Sequence, residues 1–327
     1  MASNNSLLHI EDLHISFDTY RGQVRALNGV DLEIAPNEVV GLVGETGCGK
    51  SVTAFSVVGL LDEKATIDQG HIWFEGEDLT KKSEREMRQI RGKRIAMIYQ
   101  EPATALNPVL SIEFQLAEVI RLHSKEKLDK AQVRDKALEL LDAVALPDPK
   151  ELLGKYPHEL SGGQRQRVMI AMALSGRPAL IIADEPTTAL DVTTQAEILR
   201  LMKAMQEAYE TSLLLVTHDL GVVAETCDRV GVMYAGNIVE VGNTEQIFED
   251  ARHPYTQGLL RAIPSIEERR AKLETIPGSV PNLLSPPLGC RFHPRCNQLL
   301  PICQNGNRPS LREIGPGHWV ACHGEVN

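Results

Sequence analysis

The segment Gly44-Glu45-Thr46-Gly47-Cys48-Gly49-Lys50-Ser51 constrains this chain more than any other. It fits G-x-x-x-x-G-K-[ST], directly after a continuous apolar run, Val39-Val40-Gly41-Leu42-Val43, and before a helical pattern. A run apolar at every position reads as a strand buried on both faces, as in parallel sheets. The glycines let successive backbone N–H groups converge on an anion, and the helix start behind them adds its dipole. Lys50 then places a positive charge on the β and γ phosphates of a nucleotide, and the Ser51 hydroxyl is a ligand for Mg2+. The spacing requires a strand, loop and helix inside an α/β fold.

Two more apolar runs, Ala179-Leu180-Ile181-Ile182-Ala183 and Ser212-Leu213-Leu214-Leu215-Val216, flank a helical stretch from Thr194 to Tyr209, the βαβ signature of a parallel sheet. Asp184 and Glu185 follow the first run, so both carboxylates are expected at the C-terminal end of a strand, where open α/β sheets place ligands. Asp184 suits Mg2+, and Glu185 suits a general base that polarises water. Earlier segments alternate instead: Leu13 to Phe17, Val30 to Ile34 and Ile72 to Leu79 predict an antiparallel sheet, and Arg94 to Tyr99 predicts another buried strand. Ile112 to Ala145 predicts helix, with Leu138, Leu141 and Ala145 on its apolar stripe.

Charge and hydropathy exclude other classes. Against 44 Asp and Glu stand 34 Lys and Arg, a formal charge of -10, which gives no general attraction to nucleic acid. No run approaches the roughly 20 apolar residues a membrane helix needs. Met1 to Phe17 lacks the basic and then apolar order of a secretory signal, so a cytoplasmic chain is expected.

At Leu160-Ser161-Gly162-Gly163-Gln164 the sequence resembles the signature of ATP-binding cassette (ABC) ATPases. The loop at 44–51, Gln100 after a strand, the signature, the acidic pair, Ala189-Leu190-Asp191 and His218 occur in that family's order. The resemblance implies ATP and Mg2+ as ligands, with two nucleotides sandwiched between two such domains. Each is held by one chain's phosphate loop and by Ser161, Gly162, Gly163 and Gln164 of the other. It implies that Gln100 senses the metal and the attacking water, that His218 clamps the γ-phosphate and Glu185, and that Asp191 couples the two sites. Tyr20, with Phe17 as the alternative, would stack on adenine. The implied fold is a RecA-like P-loop core with antiparallel β and helical subdomains, spanning 1–250 with the helical part at about 100–170.

Gln100-Glu101-Pro102-Ala103-Thr104-Ala105-Leu106-Asn107-Pro108 and His253-Pro254-Tyr255-Thr256-Gln257-Gly258-Leu259-Leu260 narrow the resemblance to the ATPase subunits of oligopeptide and dipeptide importers. The partners so implied are a second, paralogous ATPase subunit, two transmembrane permease subunits and an extracytoplasmic solute-binding protein, with this chain peripheral on the cytoplasmic face of the inner membrane. Residues near 100–110 would dock the membrane subunits. Similar ATPases serve nickel, glutathione and oligosaccharide systems, so those cargoes remain alternatives. A cassette ATPase acting on DNA or ribosomes is the rival class. Chromosome-type members insert a long coiled coil between the Gln100 and Ser161 positions, but only about 60 residues lie there, without sustained heptads. Cys48 stands where the family usually has a small Ser or Gly, and it predicts an oxidant-sensitive site.

After Asp250 the composition changes. More than half of the chain's 18 prolines fall there, with Cys290, Cys296, Cys303 and Cys322, and 251–327 is expected to be a loop-rich extension held by a bound metal rather than by a core. The cysteine spacing by itself names no metal, and mixed zinc ligation with His293, His318 or His323 is chemically reasonable. The resemblance to peptide-importer ATPases points to a 4Fe-4S cluster on the four cysteines, with zinc as the alternative.

Overall fold

The computed structural model describes residues 6–188, 190–263 and 275–324, so Ala189 of the expected motif lies outside the described residues. The chain forms two compact units, residues 1–81 with 215–327, and residues 82–214.

In the first unit β1 (Leu8–Thr19) turns back into β2 (Gly22–Ile34). In β1 Leu8 and Ile10 are buried and, past an irregularity in the pairing between Ile10 and Leu13, so are Leu13 and Ile15, with Glu11 exposed between the two pairs. β3 (Val39–Val43) is buried at every residue, as its unbroken apolar run requires, and leads through the phosphate loop into α1 (Lys50–Val57). β4 (Ala65–Phe74) and β5 (Glu77–Asp78) complete a four-stranded antiparallel sheet in the order β2-β1-β4-β5.

The second unit opens with α2 (Glu84–Ile90), begun by a Ser83–Glu86 capping box, and then β6 (Ile95–Ile98). A helical series follows: α3 (Pro102–Ala105), α4 (Ile112–His123), α5 (Lys130–Ala143), α6 (Pro149–Leu152) and α7 (Gly162–Leu174). β7 (Leu180–Asp184) pairs in parallel with β6 from Ile95↔Leu180 to Ile98↔Ala183, and α8 (Val192–Tyr209) comes next. One expectation needs correction here. The stripe does not run through Ala145, because α5 stops at Ala143 and Ala145 lies exposed beyond it at φ +52°. The buried positions are Val133, Ala137, Leu141 and Val144, and a 3.6-residue period cannot be extended past a helix end.

β8 (Ser212–Thr217) carries the chain back to the first unit, into α9 (Leu220–Thr226), β9 (Arg229–Tyr234) and β10 (Asn237–Asn243). β9 lies parallel to β3, from Val40↔Arg229 to Val43↔Val232, and antiparallel to β10. After α10 (Thr244–Glu249) and α11 (Pro254–Arg261), the last residues form β11 (Arg312–Gly315) and β12 (His318–Val320), and β12 pairs with β10 at Glu240↔Val320 and Val241↔Trp319. The extension is thus held by ordinary packing to a greater degree than its composition predicts. Phe292, Val320 and Ala321 are buried, and the His318 ring contacts the fully buried Glu240 carboxylate at 2.9 Å.

Candidate nucleotide site

In the phosphate loop Gly44, Gly47 and Gly49 have φ of +153°, +79° and +112°. A Cβ at Gly44 would lie 2.1 Å from the Met233 carbonyl oxygen, and one at Gly49 would lie 2.8 Å from the Leu27 side chain, so both positions demand glycine. Gly49 is the N-cap of α1 and gives its first turn no side-chain cap. Lys50, 5% exposed, folds its ammonium back to donate to the Gly44 carbonyl at 2.7 Å and the Glu45 carbonyl at 3.3 Å. Cys48 does not behave as the sequence suggested. It is buried, and burial pushes its thiol up against the opposing pull of the Lys50 charge, so it lacks the exposed thiolate that oxidants attack.

Tyr20 lies at the turn between β1 and β2, 91% exposed, with the Arg21 guanidinium 5.2 Å from its ring centre, whereas Phe17 is half-buried within β1. His218, exposed, follows β8 directly.

In the second unit Asp184 is the last residue of β7 and is buried. Glu185 follows at φ +47°, a left-handed conformation that is costly for a non-glycine residue and concentrates at functional sites. Its Oε2 accepts from Gln100 Nε2 at 3.1 Å and from the Thr188 hydroxyl at 2.9 Å. Two residues expected to act together from distant positions therefore touch. Sequence reasoning missed Thr188; its signal was the hydroxyl three residues after Glu185 in a loop that must turn back on itself. Beside this group lies a cavity of about 240 Å³, lined in part by Gln100, Glu101 and Gln166.

The signature forms the start of α7. Ser161 Oγ accepts from Gln164 N–H at 3.2 Å while Gln164 Oε1 accepts from Ser161 N–H at 3.0 Å, a complete capping box. A Cβ at Gly163 would lie 2.7 Å from the Thr194 side chain, so α7 and α8 need glycine there to approach. Asp191 caps α8, accepting from the Thr194 N–H at 3.0 Å and hydroxyl at 2.7 Å; these bonds hold its carboxyl below the usual range. Ser161, Gly162, Gly163, Gln164 and Asp191 share one cavity of about 450 Å³.

The four tail thiols converge. Burial pushes Cys290 up to about 11, and Cys303, Cys322 and Cys296 each add to that shift through their proximity. Cys296 Sγ accepts from Gln298 N–H at 3.3 Å and Cys322 Sγ from Gly324 N–H at 3.4 Å. Yet among the described residues no three or more His, Cys, Asp or Glu side chains are placed to hold a metal ion. The histidines considered for zinc are engaged elsewhere: His293 with the Cys290 carbonyl, His318 with Glu240 and His323 with the Asn307 carbonyl.

A glycine-built loop between a buried parallel strand and a helix start, together with an acidic pair ending a second parallel strand, defines a P-loop nucleoside triphosphatase. Residues 27–188 match the family described as ABC transporter, and residues 239–303 match the oligopeptide/dipeptide transporter C-terminal region. The chain is 49% identical to the dipeptide transport ATP-binding protein DppD of Bacillus subtilis, over 97% of this chain and 94% of that protein. It is 46% identical to the oligopeptide transport ATP-binding protein OppD of Salmonella typhimurium, over 97% and 93%. Among solved structures it resembles a dimeric ATP-binding cassette in a post-hydrolysis state with ADP and Pi, at TM-score 0.66 and 26% identity, covering 72% of this chain and 98% of that one. It also resembles cbiO1 of Clostridium perfringens, part of an ABC transporter complex, at TM-score 0.64 and 28% identity over 76% and 92%. The chain belongs to the ATP-binding proteins of ABC transporters, in the oligopeptide and dipeptide branch. None of its described helices is long and apolar enough to cross a membrane.

Proposed function

We propose that this chain hydrolyses ATP to drive import of di- and oligopeptides through partner membrane subunits. The observation that carries the reading is the Glu185 carboxylate, fixed by Gln100 and Thr188 beside Asp184, in a chain nearly half identical to peptide-transport ATP-binding proteins over almost its whole length.

Lys50 leaves the loop carbonyls to hold the β and γ phosphates, and the loop and the start of α1 supply backbone donors. Glu185 takes a proton from the attacking water, with Gln100 and Thr188 fixing the carboxylate oxygen that faces them. Ser51, Gln100 and Asp184 offer a hydroxyl, an amide carbonyl and a carboxylate, the hard oxygen set that suits Mg2+. When bound, that ion offsets the negative charge developing on the phosphoryl oxygens. Tyr20 stacks on adenine through its exposed ring, and His218 clamps the γ-phosphate. Ser161, Gly162, Gly163 and Gln164 meet the nucleotide held by a second, paralogous ATPase subunit, and Asp191 couples the two sites.

The remaining partners are two permease subunits, docked near residues 100–110, and an extracytoplasmic solute-binding protein. The chain sits peripherally at the cytoplasmic face of the inner membrane. On the resemblance to peptide-importer ATPases, the four tail thiols would hold a 4Fe-4S cluster, with zinc as the alternative. The backbone N–H donors on Cys296 and Cys322 would suit the thiolates of such a cluster. Such a cluster would cross-link a loop-rich segment. Iron and acid-labile sulfide in anaerobically purified chain would support it, and zinc without iron would overturn it.

The decisive experiment is ATP hydrolysis by the assembled transporter with and without a di- and oligopeptide mixture, with Glu185→Gln as the inactive control. Stimulation by peptides supports the reading. Stimulation by a nickel complex, glutathione or a glycoside instead would replace the cargo.

A further inference from the structure

The phosphate loop carries an acidic side chain, Glu45, directly after its first glycine. A carboxylate in a loop that must accept a polyanion opposes binding. At a separation of ~7 Å and an effective dielectric between water and protein, each facing pair of unit charges lowers affinity roughly fivefold to tenfold.

The chain answers this charge from 250 residues away. The Arg295 guanidinium meets the Glu45 carboxylate as a fork, Nη1 to Oε2 at 2.6 Å and Nη2 to Oε1 at 3.1 Å. The arginine side chain is only 4% exposed. Its other donors are also used, Nε by the Pro277 carbonyl at 2.9 Å and Nη2 again by the Ile276 carbonyl at 3.2 Å. Such a planar, bidentate fit is specific to arginine. The Glu45 backbone is held from the same side, its N–H donating to the Tyr255 hydroxyl at 2.9 Å. Tyr255 is fully buried, with ring centres of Tyr234 and Phe292 at 4.6 and 5.4 Å. Arg295 ends the short turn His293–Arg295, between Cys290 and Cys296.

We propose that Arg295 is a positioning residue for the nucleotide site: it cancels the Glu45 charge and fixes the loop's first turn so that the loop accepts the triphosphate of MgATP. The cysteine-bearing segment is then a working part of the ATP site as well as an appendage. The proposal rests on the reading of the loop as an ATP site.

Charge cancellation and mere propping predict different patterns. With cancellation, Arg295→Gln exposes the Glu45 charge and weakens MgATP about tenfold, MgADP by less, and both by less at high salt. Glu45→Gln binds at least as tightly as wild type, and the Glu45→Gln/Arg295→Gln double variant returns to within about threefold of wild type. Arg295→Lys, which keeps the charge and loses the fork, falls between wild type and Arg295→Gln. The experiment is displacement of a fluorescent nucleotide from the full-length chain by MgATP and MgADP at two salt concentrations, with a thermal melt of each variant. The expected order is Glu45→Gln, wild type and double variant together at the tight end, and Arg295→Gln alone at the weak end. A double variant as weak as Arg295→Gln overturns the proposal, as does equal weakening of MgATP and MgADP. If Arg295→Gln does not fold, weaker binding by Glu45→Gln than by wild type still overturns it. No nucleotide binding by wild type would instead overturn the reading of the loop, and the proposal with it.

Discussion

The starts of α1 and α7 are both built with glycine, and both belong to motifs that bind phosphate in this family, but the structure leaves them in opposite states. Behind Gly49 the first turn of α1 has no side-chain cap. Behind Ser161 the first turn of α7 is closed by a reciprocal capping box with Gln164. A helix start without a side-chain cap relies on other partners for its first N–H groups, and the positive end of its dipole favours any anion that arrives. A capped turn has a partner already, worth about 1 kcal/mol, and a ligand has to displace it. Charge-assisted bonds to phosphate are worth roughly 1.5–3 kcal/mol each, so displacement is favourable only where the phosphate is delivered in register. The contrast supports the proposed reading, in which α1 begins a standing nucleotide site and α7 a latent one whose ligand a second chain would present.

The largest expected effect falls on neither start. Glu185→Gln removes the base while keeping the Gln100 and Thr188 neighbours, so kcat of the assembled complex should drop about 10²–10⁴-fold with MgATP affinity kept, read by steady-state hydrolysis and nucleotide titration. An unchanged kcat would remove the chemistry from the comparison altogether. Next, Lys50→Ala should weaken MgATP about 100-fold in the isolated chain, whereas Ser161→Ala should leave that affinity within about twofold and lower kcat of the complex about tenfold. Equal loss of affinity in the two variants of the isolated chain would break the distinction between standing and latent sites.

Tyr20→Ala sharpens the standing site. A ring that exposed costs little to remove from the fold, and base stacking on an aromatic is worth about 1–3 kcal/mol, so affinity should fall roughly tenfold while the melting temperature stays put. If Phe17→Ala has that effect and Tyr20→Ala has none, the stacking residue has been misassigned.

The standing site was legible in the sequence because its causes are local. An unbroken apolar run has to be a doubly buried strand, and glycines at 44 and 49 are forced by neighbours that leave no room for Cβ. Helix α8 and strands β7 and β8 were readable for the same reason. Contacts between distant segments were not. The order of family motifs put Gln100 and Glu185 in one site without naming a bond between them, and the Thr188 hydroxyl, three residues after Glu185, was the one local signal of its third member. The Arg295–Glu45 fork joins two segments that no period or spacing relates. The tail misled in a consistent way: its prolines describe loops correctly, but β12 is only three residues long, and a strand that short leaves too little alternation to read. Its hold on β10 through His318 and Glu240 could not be inferred from composition.

A third helix start gives the smallest effect and the finest test of what closing a turn means. The cap of α11 is the ring of His253, whose Nδ1 accepts from the Tyr255 N–H at 3.1 Å. The ring must stay neutral to accept, and full burial ensures this by lowering its pKa from 6.5 to about 3. The unfolded chain protonates this imidazole near pH 6.5 and the folded chain does not, so between pH 6.5 and 3 the unfolded state binds more protons. Stability from this group is therefore complete above pH 6.5 and declines as pH falls, by about 1.4 kcal/mol per pH unit. Asparagine also caps helices but does not titrate, so His253→Asn should show a shallower acid limb while changing little at pH 7.5 beyond the lost ring packing. Urea midpoints at pH 7.5, 6 and 5 report this as a difference of slopes, which cancels the packing loss. Parallel slopes would mean that the ring takes up its proton inside the fold, and that its cap on the Tyr255 N–H opens at little cost to the rest of the molecule.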